Sequence, residues 1–133
     1  SAFPDKKLHG NGFVARLSGS TAEFLEIWLT MNVGKNPFFL DNQKLALRFD
    51  PKLSGWLFDQ KGNYSFNFLS KIRVTYHNPK RKDTFGKHAA QITKIMLWDK
   101  NNKPVEFDSS VISSPYAETI RSRQINKIDI YLE

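Results

Sequence analysis

The stretch Ile72-Arg73-Val74-Thr75-Tyr76-His77 decides the fold class of this chain. Every second residue in it is apolar, and the residues between them are polar or charged. Successive side chains of a β-strand point to opposite faces of a sheet, so this alternation predicts a strand with one buried face and one face in solvent.

The same alternation recurs on both sides of this stretch, at residues 45–49, 64–68 and 127–132. Turn-forming pairs such as Asp50-Pro51 and Asn78-Pro79 separate the segments. Residues 99–104 read as a hairpin loop between a strand around 92–98 and a short one around 105–107. Many short strands with such turns predict an all-β fold, an antiparallel β-sandwich of the jelly-roll type with room for one short helix. At 133 residues, we expect residues 1–133 to form one domain.

Residues 21–33 fit two structures. As a strand, they place Leu25, Ile27 and Leu29 on one face and Phe24, Glu26, Trp28, Thr30 and Asn32 on the other. As a helix, they have Ser20 as an N-cap, Glu23 three residues later and Gly34 at the C-terminal end. The unbroken apolar face favours the strand. Residues 114–121, where Ser precedes Pro, fit a short helix or an irregular loop before the last strand.

The amino-acid composition excludes several classes of functional site and favours one class of partner. The chain has no cysteine, which excludes disulfides, thiolate zinc sites and cysteine nucleophiles. No apolar run approaches the roughly 20 residues of a membrane helix. The first residues, 1–6, do not resemble a signal peptide. With 20 Lys and Arg against 13 Asp and Glu, the net charge of +7 favours anionic partners, although a plain basic surface would give the same balance.

Motifs for catalysis are absent from the sequence. His9, His77 and His88 are far apart and follow no metal-ligand spacing. Glu26 and Asp129 fall on polar faces of predicted strands and could pair as glycosidase carboxylates, but any acidic surface yields such pairs. Calcium could bind where acidic and amide side chains share a turn, and the residues of that type are Asp41, Asn42, Asp99, Asn101 and Asp108.

The polar face of the predicted strands is the most informative surface. Sugar polymers bind to aromatic rings mixed with charged and amide groups, because pyranose C–H groups stack on rings while hydroxyls take hydrogen bonds. The predicted ligand-binding residues are Trp28, Phe24, Glu26, Asn32, Arg48, Arg73, Trp98, Asp129 and Tyr131. Further residues that could share the face are Thr30, Lys44, His77, Lys94, Met96 and Lys127. Each ring could instead cap the core.

Three segments, 24–33, 92–98 and 125–132, resemble strands of jelly-roll carbohydrate-binding modules of the galactose-binding-like type. In those modules the first such strand often carries a Trp near its middle, as Trp28 would here. The resemblance implies a non-catalytic β-sandwich, often appended to a glycoside hydrolase and often holding a structural calcium. The basic charge of this chain departs from the family and leaves room for an anionic glycan.

We therefore expect a polysaccharide-binding module that is not an enzyme, in an extracellular or cell-surface setting. The alternative is a single-stranded nucleic-acid-binding domain, in which basic strands neutralise phosphates and aromatic rings stack on bases. A structural or adhesion domain is a third interpretation, which nothing in the sequence supports specifically. Salt dependence separates the first two, since phosphate binding weakens steeply as salt rises.

Overall fold

The computed structural model describes residues 19–133, and for residues 19–24 and 26 it describes the backbone alone. His9 therefore lies outside the described residues. The elements in chain order are α1 (Gly19–Val33), β1 (Phe38–Asp41), β2 (Lys44–Arg48), a 3-10 turn (Gly55–Leu57), β3 (Asn63–Phe68), β4 (Ile72–His77), β5 (Ile92–Asp99), β6 (Pro104–Phe107), β7 (Val111–Ile112), α2 (Tyr116–Arg121) and β8 (Ile125–Leu132). The described part of the chain is mainly β.

The strands form two sheets. A three-stranded sheet has the order β1-β2-β7, and a five-stranded sheet has the order β3-β4-β8-β5-β6. Alternation predicted the strands of the large sheet and the hairpin between β5 and β6 correctly. The sheet is not purely antiparallel, however, because β4 and β8 pair in parallel.

The inner face of the large sheet supplies most of the core. Val74, Tyr76, Ile95, Leu97 and Ile130 are all fully buried in one hydrophobic cluster. The small sheet packs against this face, where the Phe38 and Phe68 rings stack 6.0 Å apart. Helix α2 also joins the core through Ala117 and Ile120, which confirms the short helix as the correct one of the two structures considered for residues 114–121.

The strand prediction for residues 21–33 is wrong, because these residues form helix α1. Gly34 ends the helix with φ +98° and donates its N–H to the Thr30 carbonyl 2.9 Å away, a left-handed C-terminal cap that glycine adopts at low cost. Its apolar residues are spread around the helix with no single apolar stripe, so the segment matched a two-residue period as well as a helical one. Among residues 19–133, no helix has both the length and the apolar character needed to cross a membrane.

Candidate functional site

The polar face of the five-stranded sheet brings together most of the strand residues predicted for the site. Strand register fixes how they are arranged, since residues paired across neighbouring strands project side by side. We call this surface the open face and define it by three rows. They are Asn63, His77, Tyr131 and Lys94; then Ser65, Thr75, Asp129, Met96 and Glu106; then Asn67, Arg73, Lys127, Trp98 and Pro104.

Asp129 lies at the centre of the open face and holds two rings in place. Its Oδ1 is 2.9 Å from His77 Nε2, and its Oδ2 accepts a 2.9 Å hydrogen bond from Trp98 Nε1. The Lys127 ammonium lies 3.9 Å from the same Oδ2. Only 13% of the Asp129 side chain is exposed, so this carboxylate anchors the rings and has little surface left for a ligand.

The rings of the first row stand side by side across the sheet. His77 and Tyr131 stack with centroids 4.5 Å apart and planes 13° from parallel. The Lys94 ammonium lies 4.6 Å from the Tyr131 centroid, on the strand that flanks β8 opposite β4. Both faces of the Tyr131 ring are therefore occupied. Burial raises the pKa of the Tyr131 hydroxyl, and the negative charge of Asp129 raises it further.

Trp98 has a similar arrangement in the third row. The Lys127 ammonium lies 5.0 Å from the indole centroid, and Pro104 is the cross-strand neighbour on the other side. Arg73 extends the same row and is exposed. The open face thus combines rings with cations that contact them, which is a surface for groups that accept hydrogen bonds or carry negative charge.

The structure separates the remaining predicted residues from this face. Trp28 lies on α1 and packs edge-on against the inner-face residue Phe66, with centroids 6.0 Å apart. Asn32 is fully buried and donates from Nδ2 to the Trp28 carbonyl. Both belong to the packing between helix and sheet, because the segment is a helix and not a strand. Phe24 and Glu26 also lie in α1, and their side chains are outside the described part.

The small sheet, and not the open face, contains Arg48. It ends strand β2 of the small sheet, and its guanidinium lies over the Phe39 ring at 4.8 Å from the centroid. Lys44 begins the same strand. The prediction that they join the open face is wrong, because β2 pairs with β1 and β7 instead of extending the large sheet.

Two further sequence predictions concern the pairing of Glu26 with Asp129 and the binding of calcium at turns. Asp129 lies on the outer side of the sheet, whereas Trp28 packs helix α1 against the inner side. The Glu26 side chain lies outside the described part, so its pairing with Asp129 stays a prediction. The Asp99 carboxylate accepts backbone N–H groups of Asn101 and Lys103 at 2.8 and 2.9 Å, which is turn chemistry. In the described part, no three His, Cys, Asp or Glu side chains group as a metal site would require.

Trp56 is the most exposed aromatic residue of the described part, and sequence reasoning missed it. It lies in the 3-10 turn and 76% of the residue is exposed, more than any other large hydrophobic residue described. The flanking residues Gly55 and Leu57 give no alternating pattern, so no periodicity marked it. The signal available was the run from Asp50-Pro51 to Gly55, which indicates irregular chain around an aromatic residue.

Comparisons with known proteins assign no family to this chain. No protein-family model matches it, and no curated protein matches it significantly. The geometry of the open face therefore carries the functional proposal that follows.

Proposed function

We propose that the open face binds a polysaccharide and that the chain is a non-catalytic carbohydrate-binding module. The observation that carries the proposal is the cluster of Trp98, Asp129, His77 and Tyr131, in which one carboxylate hydrogen-bonds two rings from different strands and the third ring stacks on His77. These side chains point away from the core, so hydrophobic burial does not explain them. A surface held in one geometry before binding loses less entropy when a ligand arrives.

The lysines on the rings suggest how a sugar would bind. A cation over an exposed ring gains only about 0.5–1 kcal/mol, so a pyranose can displace the ammonium at small cost. The displaced Lys127 or Lys94 then donates to ligand oxygens while the ring contacts sugar C–H groups. Arg73 supplies a further donor in the third row. Because each ring is paired with a cation, we expect a glycan that carries carboxylate or sulfate groups.

Three finer features belong to the same proposal. The two sheets that enclose the core support a β-sandwich related to the jelly-roll binding modules. A module of that type fits an extracellular or cell-surface setting, appended to a glycoside hydrolase. The absence of any recognisable nucleophile or acid–base motif in the sequence supports binding without catalysis.

Affinity electrophoresis in gels containing soluble polysaccharides tests the proposal. We expect Trp98→Ala to weaken binding by about tenfold or more, the cost typical of a central interface residue. Lys127→Ala should also weaken it, while Lys35→Ala removes the same charge from an exposed residue just beyond α1 and should not. Circular dichroism verifies that each variant folds. If the folded Trp98→Ala variant binds as well as the parent, the open face is not the site.

A single-stranded nucleic acid is the second candidate. The specific observation in its favour is the same pairing of rings and cations, which suits bases and phosphates as well as acidic sugars. Short oligonucleotides run beside the polysaccharides in the same assay separate the two classes.

A further inference from the structure

A second surface, at the end of the sheet, has features that the open face lacks. Trp56 exposes 76% of its surface, and within the described residues no ring stacks on it and no cation covers it. Its indole N–H has no hydrogen-bond acceptor there either. A large aromatic ring that is exposed and uncovered offers a flat face on which a ligand can stack.

The backbone around Trp56 is held firmly. Leu53 and Phe58, on either side, are 0% and 2% exposed and belong to the core. The turn between them is closed by hydrogen bonds from Leu57 N to Ser54 O at 3.0 Å and from Phe58 N to Gly55 O at 3.1 Å. Trp56 is therefore presented at a fixed place and is not the tip of a loose loop.

The basic loop of residues 78–88 packs against this turn. Gly55 is buried, and a Cβ there would clash with the Arg81 carbonyl, so only glycine allows the two segments to approach this closely. Asp83 Oδ1 accepts the Gly55 N–H at 2.7 Å. Thr84 adds two hydrogen bonds to Leu53, one from its backbone N–H to the Leu53 carbonyl and one from the Leu53 N–H to Thr84 Oγ1.

This packing leaves three basic side chains of the loop exposed to solvent. Lys80, Arg81 and Lys87 are exposed, and none of them forms an ion pair within residues 19–133. The loop's only acidic side chain, Asp83, is engaged with Gly55. We call Trp56 with Lys80 and Arg81 the Trp56 corner. Its loop begins directly after His77, so the chain leads from the row of the open face that contains His77 and Tyr131 into the corner.

We propose that the Trp56 corner is a second contact for the glycan bound by the open face, and that it takes an acidic sugar unit. The uncovered indole face would stack on the pyranose ring, and Arg81 with Lys80 would bind its carboxylate or sulfate group. Guanidinium groups bind such anions with two parallel hydrogen bonds. This inference rests on the proposed function and adds to it a second site outside the open face, where an acidic unit of the glycan binds.

Fluorine NMR of protein labelled with fluorotryptophan tests both surfaces in one sample. Each of the three Trp residues gives one signal, and Trp→Phe variants assign the signals. Trp98 reports on the open face, Trp56 on the corner, and Trp28, packed against Phe66, serves as an internal reference. The acidic probes are polygalacturonate, alginate, hyaluronate and heparin. Fully methyl-esterified polygalacturonate is the neutral match of the first.

We expect at least one acidic probe to shift the Trp56 and Trp98 signals together while Trp28 stays unchanged, and the methyl ester to shift Trp56 much less. Arg81→Gln should weaken the Trp56 response by about tenfold. Arg123→Gln is the matched control, because Arg123 is also exposed and also has a positive φ, 63° against 49° for Arg81.

The other outcomes separate the two proposals. If Trp98 responds and Trp56 does not, the open face binds glycan and the corner inference is wrong. If Trp56 alone responds, the open face is not the site and the corner is not a second contact. Equal shifts with polygalacturonate and its methyl ester would contradict the requirement for an acidic unit. If no polysaccharide shifts either signal, both proposals fail. They also fail if a single-stranded oligonucleotide, oligo(dT), added as a further probe, is the only ligand that shifts a signal.

Discussion

At the scale of single residues, Asp129 determines where the His77 ring carries its proton. A carboxylate only accepts hydrogen bonds, so His77 Nε2, 2.9 Å from Asp129 Oδ1, must be the donor. In Asp129→Asn the new amide can donate to Nε2 and still accept from Trp98. We expect the proton to move to Nδ1, which lies 3.1 Å from the Asn63 side-chain amide, a group that can accept through its oxygen or donate through its nitrogen. Nitrogen NMR of the imidazole ring measures this change of tautomer directly.

Asp99→Asn is the control for that experiment. It makes the same chemical change in the turn that follows β5, where Asp99 contacts only backbone N–H groups of its own loop. The His77 signals should stay as they are in the parent protein. If Asp129→Asn also leaves them unchanged, Asp129 does not orient the ring and the cluster is not preorganised.

Tyr76 connects the large sheet to helix α1. Its side chain is fully buried, and its hydroxyl donates to the Asn32 carbonyl near the end of the helix. Tyr76→Phe leaves that buried carbonyl without this donor, which should lower the free energy of unfolding by about 1–3 kcal/mol. Urea denaturation measures the loss. Tyr116→Phe, at an exposed residue, should change stability by no more than about 0.5 kcal/mol, and equal losses in both variants would contradict the assignment.

Burial of tyrosines also predicts a loss of stability in alkali. Burial raises the pKa of Tyr76 well above its ordinary value and raises that of Tyr64 as well. Above about pH 10 the unfolded chain releases these protons while the folded chain keeps them. The free energy of unfolding therefore falls as pH rises through that value and beyond. Urea denaturation from neutral to alkaline pH should show a shallower fall in Tyr76→Phe than in the parent, and an identical fall would contradict the prediction.

At the scale of elements, Trp28 stabilises the fold by packing helix α1 against the large sheet. Trp28 packs on Phe66, whereas Ile27, on another side of the same helix, is 59% exposed. We expect Trp28→Ala to lower the free energy of unfolding by about 2–4 kcal/mol, somewhat below a full core truncation. Ile27→Ala should change it by less than about 0.5 kcal/mol. Urea denaturation compares the two. A stable Trp28→Ala variant that fails to bind glycan would return Trp28 to the binding site.

The sequence predicted elements where one face is buried and the other is in solvent. Residues 72–77 alternate clearly and form β4, and the same pattern brought Asp129, Tyr131 and Trp98 onto the correct face. It failed for α1, whose apolar residues form no single helical stripe, so a two-residue period could be found in it although the residues are helical. It also left Trp56 unnoticed, because Trp56 lies in an irregular turn that packs through Gly55 against the distant loop containing Arg81, and local pattern carries no information about that contact.

At the scale of the whole molecule, the net charge of +7 raises the question of whether polyanions bind by overall attraction or at specific cations. The two differ in their response to salt. At physiological ionic strength, salt largely screens charges that lie more than about 8 Å from the ligand. Each cation that contacts the ligand instead releases a counterion. Three contacts by Arg73, Lys94 and Lys127 give the open face alone a slope of log affinity against log salt of about −2 for a single-stranded polyanion, and contacts by Lys80 and Arg81 at the Trp56 corner would make it steeper.

We therefore expect the affinity for an acidic polysaccharide to fall by at least about 15-fold between roughly 50 and 200 mM salt. Lys127→Ala should make the slope shallower by about 0.7, because one contact is lost. Lys35→Ala lowers the net charge equally but should leave the slope unchanged, because Lys35 follows α1 and lies away from the open face. Titrations of both variants at several salt concentrations measure the slopes. If the two variants shift the slope alike, the chain attracts polyanions through its net charge, and the open face confers no specific binding.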